Sequence, residues 1–240
     1  MFSLLYYIFM VVLCTLLLVL SAVALVICAP FDPARRVVHE LSRFVVKIFF
    51  AIPPFWRWRV VGMENIDPKR SYVIILNHNA MLDIPSLYAL PLNFRWVSKR
   101  QVFATPFFGQ LLVLHGDIAI ERGNGAVAMA KVIEQGKMWI SRGVSISMFP
   151  EGTRSKDGQI GRFKSGAFNL AKEAGVEILP VVLSGSRDMI KDNFLFSWRH
   201  EVILKVLPPI SVERIEVTER KELINEVREQ MLAAFETIRG

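Results

Sequence analysis

The chain has 240 residues, 52% of them hydrophobic, and a formal net charge of +7. That length suggests one domain with an attachment. No charged residue precedes Asp32, so the positive excess lies wholly on the rest of the chain. A basic body on an apolar anchor suits an anionic membrane or phosphate-bearing substrates, although charge alone could equally serve solubility. Cys14 and Cys28 both fall in the apolar segment, about 21 Å apart on one helix, which excludes a bridge between them. There is no N-x-S/T sequon, and no nucleic-acid partner is expected.

In chain order, the apolar run over residues 4–29 exceeds the roughly 20 residues a spanning helix needs. Ala22-Val23-Ala24 resembles a signal cleavage site, but the run continues past it and no Lys or Arg precedes it. Arg35, Arg36, Arg43 and Lys47 follow the segment. If it spans, the positive-inside rule puts the body on the cytoplasmic side of the inner (plasma) membrane; a dip into one leaflet is the alternative. Residues 33–50 carry Val37, Val38, Leu41, Val45, Val46, Phe49 and Phe50 at helical spacing. A break at Pro53-Pro54 and the run Trp56-Arg57-Trp58-Arg59 follow, and together the stretch reads as an amphipathic interfacial segment.

The body then alternates. Strands are expected at 58–62, 72–76, 94–98, 117–121, 144–149, 178–184 and 201–206. Helices are expected at 84–90, 107–114, 124–141, 165–174 and 218–238, the last with a stripe of Ile224, Val227, Met231, Phe235 and Ile238. Several strands are almost wholly apolar, as in a sheet covered on both faces. The expected fold is α/β: a mixed, mostly parallel sheet flanked by helices, with an N-terminal hydrophobic membrane helix and an amphipathic interfacial helix. The expected division is 1–57 for the membrane-anchoring helices and 58–240 for the α/β domain.

The chain lacks G-x-S-x-G, GxxxxGK[ST], HExxH and CxxC, which removes the serine-elbow, P-loop and common zinc chemistries. What remains clusters after strands. His78 follows the strand near 72–76, where α/β folds place ligands. Asp83 lies five residues on; its carboxylate could fix one ring nitrogen and leave the other as a general base. Asp83 before Ile84-Pro85 would also serve as an ordinary helix N-cap. After the strand near 144–149 comes Phe149-Pro150-Glu151-Gly152-Thr153-Arg154-Ser155. Gly152 permits close backbone approach, and Arg154 offers a planar fork of donors suited to phosphate. Arg122 closes Gly116-Asp117-Ile118-Ala119-Ile120-Glu121-Arg122 at a third strand end. Three polar strand ends fit one shared pocket.

These residues resemble the glycerolipid acyltransferase family, in its bacterial 1-acyl-glycerol-3-phosphate acyltransferase branch. Asn77 to Asp83 match its N-H-x4-D block, Gly116 to Arg122 its second block, and Phe149 to Ser155 its F-P-E-G-T-R-S block at every position. Ile178-Leu179-Pro180-Val181-Val182 match its apolar strand through a proline. Lys99, Lys164 and Gly166 also stand where the family tends to have them. Departures are Asn79, Ala80 and Ala119, where the family often has Gln, Arg or Thr, then Ser, and an aromatic.

The resemblance implies direct acyl transfer from an acyl-acyl carrier protein or acyl-coenzyme A thioester to the sn-2 hydroxyl of lysophosphatidic acid, giving phosphatidic acid. His78 would be the base and Asp83 its support, with Arg122 and Arg154 on the acceptor phosphate. Glu151 would orient an acceptor hydroxyl or brace Arg154, and Gly152, Thr153, Lys99 and Lys164 would line the same site. No metal or cofactor is implied. The expected partners are membrane lipids and the carrier of the acyl thioester. The alternatives are another lyso-lipid or glycerol 3-phosphate as acceptor, a non-catalytic phospholipid-binding membrane protein, and a metal hydrolase built on His78, Asp83 and Glu151.

Overall fold

The computed structural model describes residues 2–52, 56–121, 123, 125–190, 195–197 and 200–239. Helix α1 (Phe2–Cys28) carries no charge along its length. Over Ser3–Cys28 it is long and apolar enough to cross a membrane. Leu4, Leu5, Val12, Val26 and Ile27 stand out from the body, and so continuous an apolar surface needs a cover other than water. The chain is accordingly membrane-associated. Helix α2 (Arg36–Ala51) follows and buries Val38, His39, Ser42, Phe49 and Phe50 along one face.

Seven strands form one sheet: β1 (Trp56–Val61), β2 (Val73–Leu76), β3 (Phe94–Lys99), β4 (Ile118–Ile120), β5 (Ser145–Met148), β6 (Ile178–Ser184) and β7 (His200–Val206). Their spatial order is β1-β7-β6-β2-β5-β3-β4. The pairs β6-β2, β2-β5, β5-β3 and β3-β4 are parallel. Among the described strand pairs only β6-β7 is antiparallel, so β7 and its parallel neighbour β1 run the other way. The fold is therefore the expected α/β one, a mixed and mostly parallel sheet between helices.

The helices between and after the strands are α3 (Asp83–Ser86), α4 (Phe108–His115), α5 (Gly125–Ile140), α6 (Gly166–Ala174), α7 (Val212–Val217) and α8 (Arg220–Glu236). Alternate residues of a strand face opposite sides, and here both sides are filled. On one, Val73, Ile75, Ile146, Ile178 and Val182 meet Trp139, Leu170, Val227 and Met231 from α5, α6 and α8. On the other, Ile74, Leu76, Leu179, Val181 and Leu204 meet Phe49 and Phe50 of α2 and Tyr6 of α1. Every residue of β2 and β6 is buried, which explains why both are apolar but for Ser184 at the end of β6.

Two expectations change and one helix is additional to those expected. The helix at 84–90 is the single turn α3 followed by a 3-10 turn, Leu87–Ala89. The helix α7, capped by Ser211 through the Arg214 amide at 3.3 Å, is too short to show a period. Trp56 and Trp58 are not displayed at an interface. They lie in β1, where alternation sends the tryptophans inward and the arginines outward. Trp56 is buried, Trp58 stacks on Phe50 at 4.4 Å, and Arg57 is exposed.

Candidate active site

Five parallel strands end at the same edge of the sheet, and loops leaving that edge form the crevice where open α/β sheets bind ligands. The first fastening is Asn77, fully buried at the end of β2. Its amide nitrogen donates to the Leu183 carbonyl at 2.9 Å, and its amide oxygen accepts the Leu183 N–H at 2.8 Å. The end of β2 is thereby tied to β6, and the next residue, His78, leaves from a fixed point.

His78 Nδ1 lies 2.8 Å from Asp83 Oδ2. Asp83 begins α3 but makes no capping bond to that helix. Its carboxylate turns back instead, and Oδ2 also accepts the amides of Asn79 at 2.6 Å and Ala80 at 2.8 Å. Oδ1 accepts the hydroxyl of Ser186. Asp83 has no exposed surface, and its two oxygens are surrounded by donors. Oδ2 already accepts two amides, so the ring places its N–H at Nδ1 and the lone pair of Nε2 remains for chemistry. The imidazole stacks on Phe149 at 3.8 Å, and Phe149 stacks on Trp96 at 4.9 Å. The imidazole is thus set in plane by aromatic faces and in rotation by Asp83, with about 15% of the His78 side chain exposed.

Glu151, buried on the loop after β5, has a task the sequence did not reveal. Oε1 accepts the His78 amide at 3.0 Å and Oε2 the Gly161 amide at 2.9 Å. The Ser155 amide donates to the His78 carbonyl at 2.7 Å. Glu151 and Ser155 therefore bind the F-P-E-G-T-R-S loop to both backbone groups of the histidine. Burial pushes the Glu151 carboxyl above its ordinary range, against the pull of the two amides.

Gly152 has φ 71°, and a Cβ there would lie 2.8 Å from Lys164 Nζ. The glycine lets the ammonium lie over the loop, and the Lys164 amide is held by the Pro150 carbonyl at 2.8 Å. Thr153 and Arg154 are exposed on this loop, and Lys99 is half-buried at the end of β3. Arg122, just beyond β4, lies outside the described residues. The structure thus joins His78, Asp83 and Glu151 directly and brings Lys164 to Gly152. Among the described residues, no group of three or more His, Cys, Asp or Glu side chains gathers as metal ligands do. Sequence reasoning missed Ser186, which is 103 residues from Asp83 and has no local signal; it quoted Asn77 and Phe149 without seeing their work.

His78 is held by a buried carboxylate at the strand ends of an α/β sheet. A family model described as Acyltransferase matches residues 57–184, and the chain belongs to the acyltransferase family. Its relatives include the chloroplastic 1-acyl-sn-glycerol-3-phosphate acyltransferase of Arabidopsis thaliana, 33% identical over 72% of this chain and 48% of that one. The 1-acyl-sn-glycerol-3-phosphate acyltransferase of Borreliella burgdorferi is 32% identical over 75% of this chain and 72% of its own. The chain spans about half the length of several curated relatives it matches. The fold matches the crystal structure of the 1-acyl-sn-glycerophosphate acyltransferase PlsC from Thermotoga maritima, with a TM-score of 0.64, 24% identity and 95% of each chain covered.

Proposed function

We propose that the chain is a membrane-bound 1-acylglycerol-3-phosphate O-acyltransferase. It moves a fatty acyl group from a thioester to the sn-2 hydroxyl of lysophosphatidic acid, giving phosphatidic acid. The observation that carries this reading is the His78–Asp83 pair, with Nδ1 committed and Nε2 open beside the F-P-E-G-T-R-S loop. The names of the relatives support the acceptor.

In this mechanism His78 Nε2 takes the proton of the acceptor hydroxyl as its oxygen attacks the thioester carbonyl. Asp83 steadies the imidazolium that forms. The tetrahedral intermediate collapses with cleavage of the C–S bond, and the imidazolium returns its proton to the leaving thiolate. Atoms balance without an acyl-enzyme, a metal or a cofactor. Holding hydroxyl and thioester in line supplies on the order of 7–11 kcal/mol in good model cases. Arg154, Lys99 and Lys164, with Gly152 and Thr153, take the phosphate side of the site, since guanidinium forks and ammonium groups suit phosphate oxygens; by its residue type and motif, Arg122 is assigned to the same phosphate. Glu151 acts from behind, through the loop that it ties to His78.

The anchor places the body where acceptor and product reside. The basic residues after α1, Arg35, Arg36, Arg43 and Lys47, favour a body on the cytoplasmic side, where acyl-acyl carrier protein or acyl-coenzyme A is the donor.

The test is incubation of purified protein with lysophosphatidic acid and an acyl thioester, following phosphatidic acid and free thiol together. Wild type yields both in equal amounts, and His78→Ala loses about 10²–10⁴-fold in rate. No phosphatidic acid with either donor overturns the acceptor. Equal turnover by His78→Ala removes the base.

A further inference from the structure

His78 and Asp83 carry the chemistry above, and it leaves Ser186 without a task. We infer that Ser186 is a positioning residue for acyl transfer, acting through Asp83 to set the orientation and basicity of His78. The inference rests on the acyltransferase reading.

The placement of Ser186 is over-determined. It follows Gly185, whose φ is 89° and whose hypothetical Cβ would sit 2.0 Å from the Glu201 carbonyl oxygen. Only glycine fits there, and it turns the chain sharply at the end of β6. The same turn is held from outside by His200, whose Nε2 bonds the Gly185 carbonyl. It is held from inside by the Asn77–Leu183 pair. A hydroxyl that served only its own 3-10 turn would bond the nearby backbone. The Ser186 hydroxyl, 1% exposed, instead reaches from the end of β6 to Asp83 Oδ1, beyond the neighbouring strand β2.

The division of labour on Asp83 gives that bond its weight. Oδ2 carries His78 Nδ1 and the amides of Asn79 and Ala80. Oδ1 carries Ser186, and with Asp83 fully buried no bulk water can replace it. Without the hydroxyl, Oδ1 has no partner and the carboxylate loses one of the four bonds that fix its rotation about Cβ–Cγ. A less-bonded carboxylate is a stronger base and holds the imidazolium more tightly. The acidic limb of the rate profile then moves to higher pH, and the imidazole loses alignment.

The experiment compares wild type, Ser186→Ala and Ser186→Thr in the full chain, with lysophosphatidic acid and an acyl thioester. The Ala variant is expected to lose about 10- to 100-fold in kcat with KM for the acceptor unchanged. Its acidic limb of kcat/KM is expected to rise by roughly 0.5 pH unit. The Thr variant, which keeps the hydroxyl, restores both. In parallel, diethyl pyrocarbonate labelling of His78 against pH is read site by site by mass spectrometry. This reports the imidazole without turnover, and the Ala variant shifts the labelling midpoint upward. Equal labelling midpoints in wild type and Ser186→Ala overturn the inference, as does lost activity with an unmoved acidic limb. If wild type makes no phosphatidic acid, the acceptor assignment falls, while the labelling still decides the role of Ser186.

Discussion

Glu151 and Arg154 stand three residues apart on one loop and are expected to fail differently. Glu151 gives its two oxygens to the amides of His78 and Gly161. Glu151→Gln turns one of those oxygens into a donor facing a donor. It should lower kcat by about tenfold, the cost of one lost charge-assisted bond, with KM for lysophosphatidic acid unchanged. Arg154 is exposed, and Arg154→Ala should raise that KM by about tenfold or more, as loss of a phosphate contact does. Steady-state kinetics on the two variants separate the roles; a rise in KM for Glu151→Gln would put its carboxylate on substrate. Asp117 makes a different prediction. Its Oδ1 accepts the Trp96 amide at 2.7 Å, while Oδ2 is sealed from solvent without a partner. Burial pushes its carboxyl up to about 7, despite Arg95 nearby. The folded state therefore prefers the neutral form. Its contribution is complete below the ordinary carboxyl range and is lost as pH rises through about 7. This adds a slope of at most about 1.4 kcal/mol per pH unit. Thermal melts from pH 5 to 8 should show Asp117→Asn with a flatter profile than wild type, and more stable above pH 7.

At the scale of elements, α1 and α2 are held to the rest of the fold by polar staples as well as by apolar contact. The Tyr6 hydroxyl donates to the Phe49 carbonyl at 2.6 Å, joining α1 to α2. Arg43 donates to the carbonyls of Leu90 and Leu92 at 3.0 and 2.8 Å. Ser42 meets His115 Nε2 at 2.7 Å, where burial lowers the imidazole to about 3 and keeps it neutral. Arg95 is fully buried and donates to the carbonyls of Phe94 and Ala34, both at 2.6 Å, the latter just before α2. It also lies 4.7 Å from the centroid of the Trp139 ring. Arg95→Leu takes this donor from the buried Phe94 carbonyl, at about 1–3 kcal/mol, and leaves the Ala34 carbonyl only the Asn93 amide at 3.0 Å. Denaturation in detergent should show a loss of about 3 kcal/mol, whereas Arg57→Ala, exposed on β1, should change stability by less than about 0.5 kcal/mol.

For the whole molecule, the apolar helix and the basic body would attach to a membrane with different salt responses. The basic body is screened over about 3 Å at 1 M salt. The apolar surface of α1 is not screened, because its transfer from water involves no charge. Flotation with anionic vesicles should therefore persist at 1 M NaCl, and a chain lacking residues 2–28 should float only at low salt. That truncation also removes Tyr6 from its packing against Phe49, Trp56 and Phe196. Some loss of stability should accompany the loss of binding, which a melt on the same samples will read.

Much of this was legible in one dimension. The seven strands fall where apolar runs alternate with helical periods, because side-chain periodicity records which faces are buried. The motifs at the ends of β2 and β5 named His78, Asp83 and the F-P-E-G-T-R-S loop, because a strand end followed by polar groups is a local pattern. The tertiary structure decided what local pattern cannot hold. It set β5 between β2 and β3, and turned β7 against β6. It packed Trp56 and Trp58 on α2, although tryptophan beside arginine suits a membrane surface equally well. It put the carboxylate of Glu151 on the His78 and Gly161 amides, and the Ser186 hydroxyl on Asp83. A hydrophobic pattern specifies that a residue is buried; the partner it meets depends on contacts between segments far apart in the chain, and those exist only once the sheet has closed.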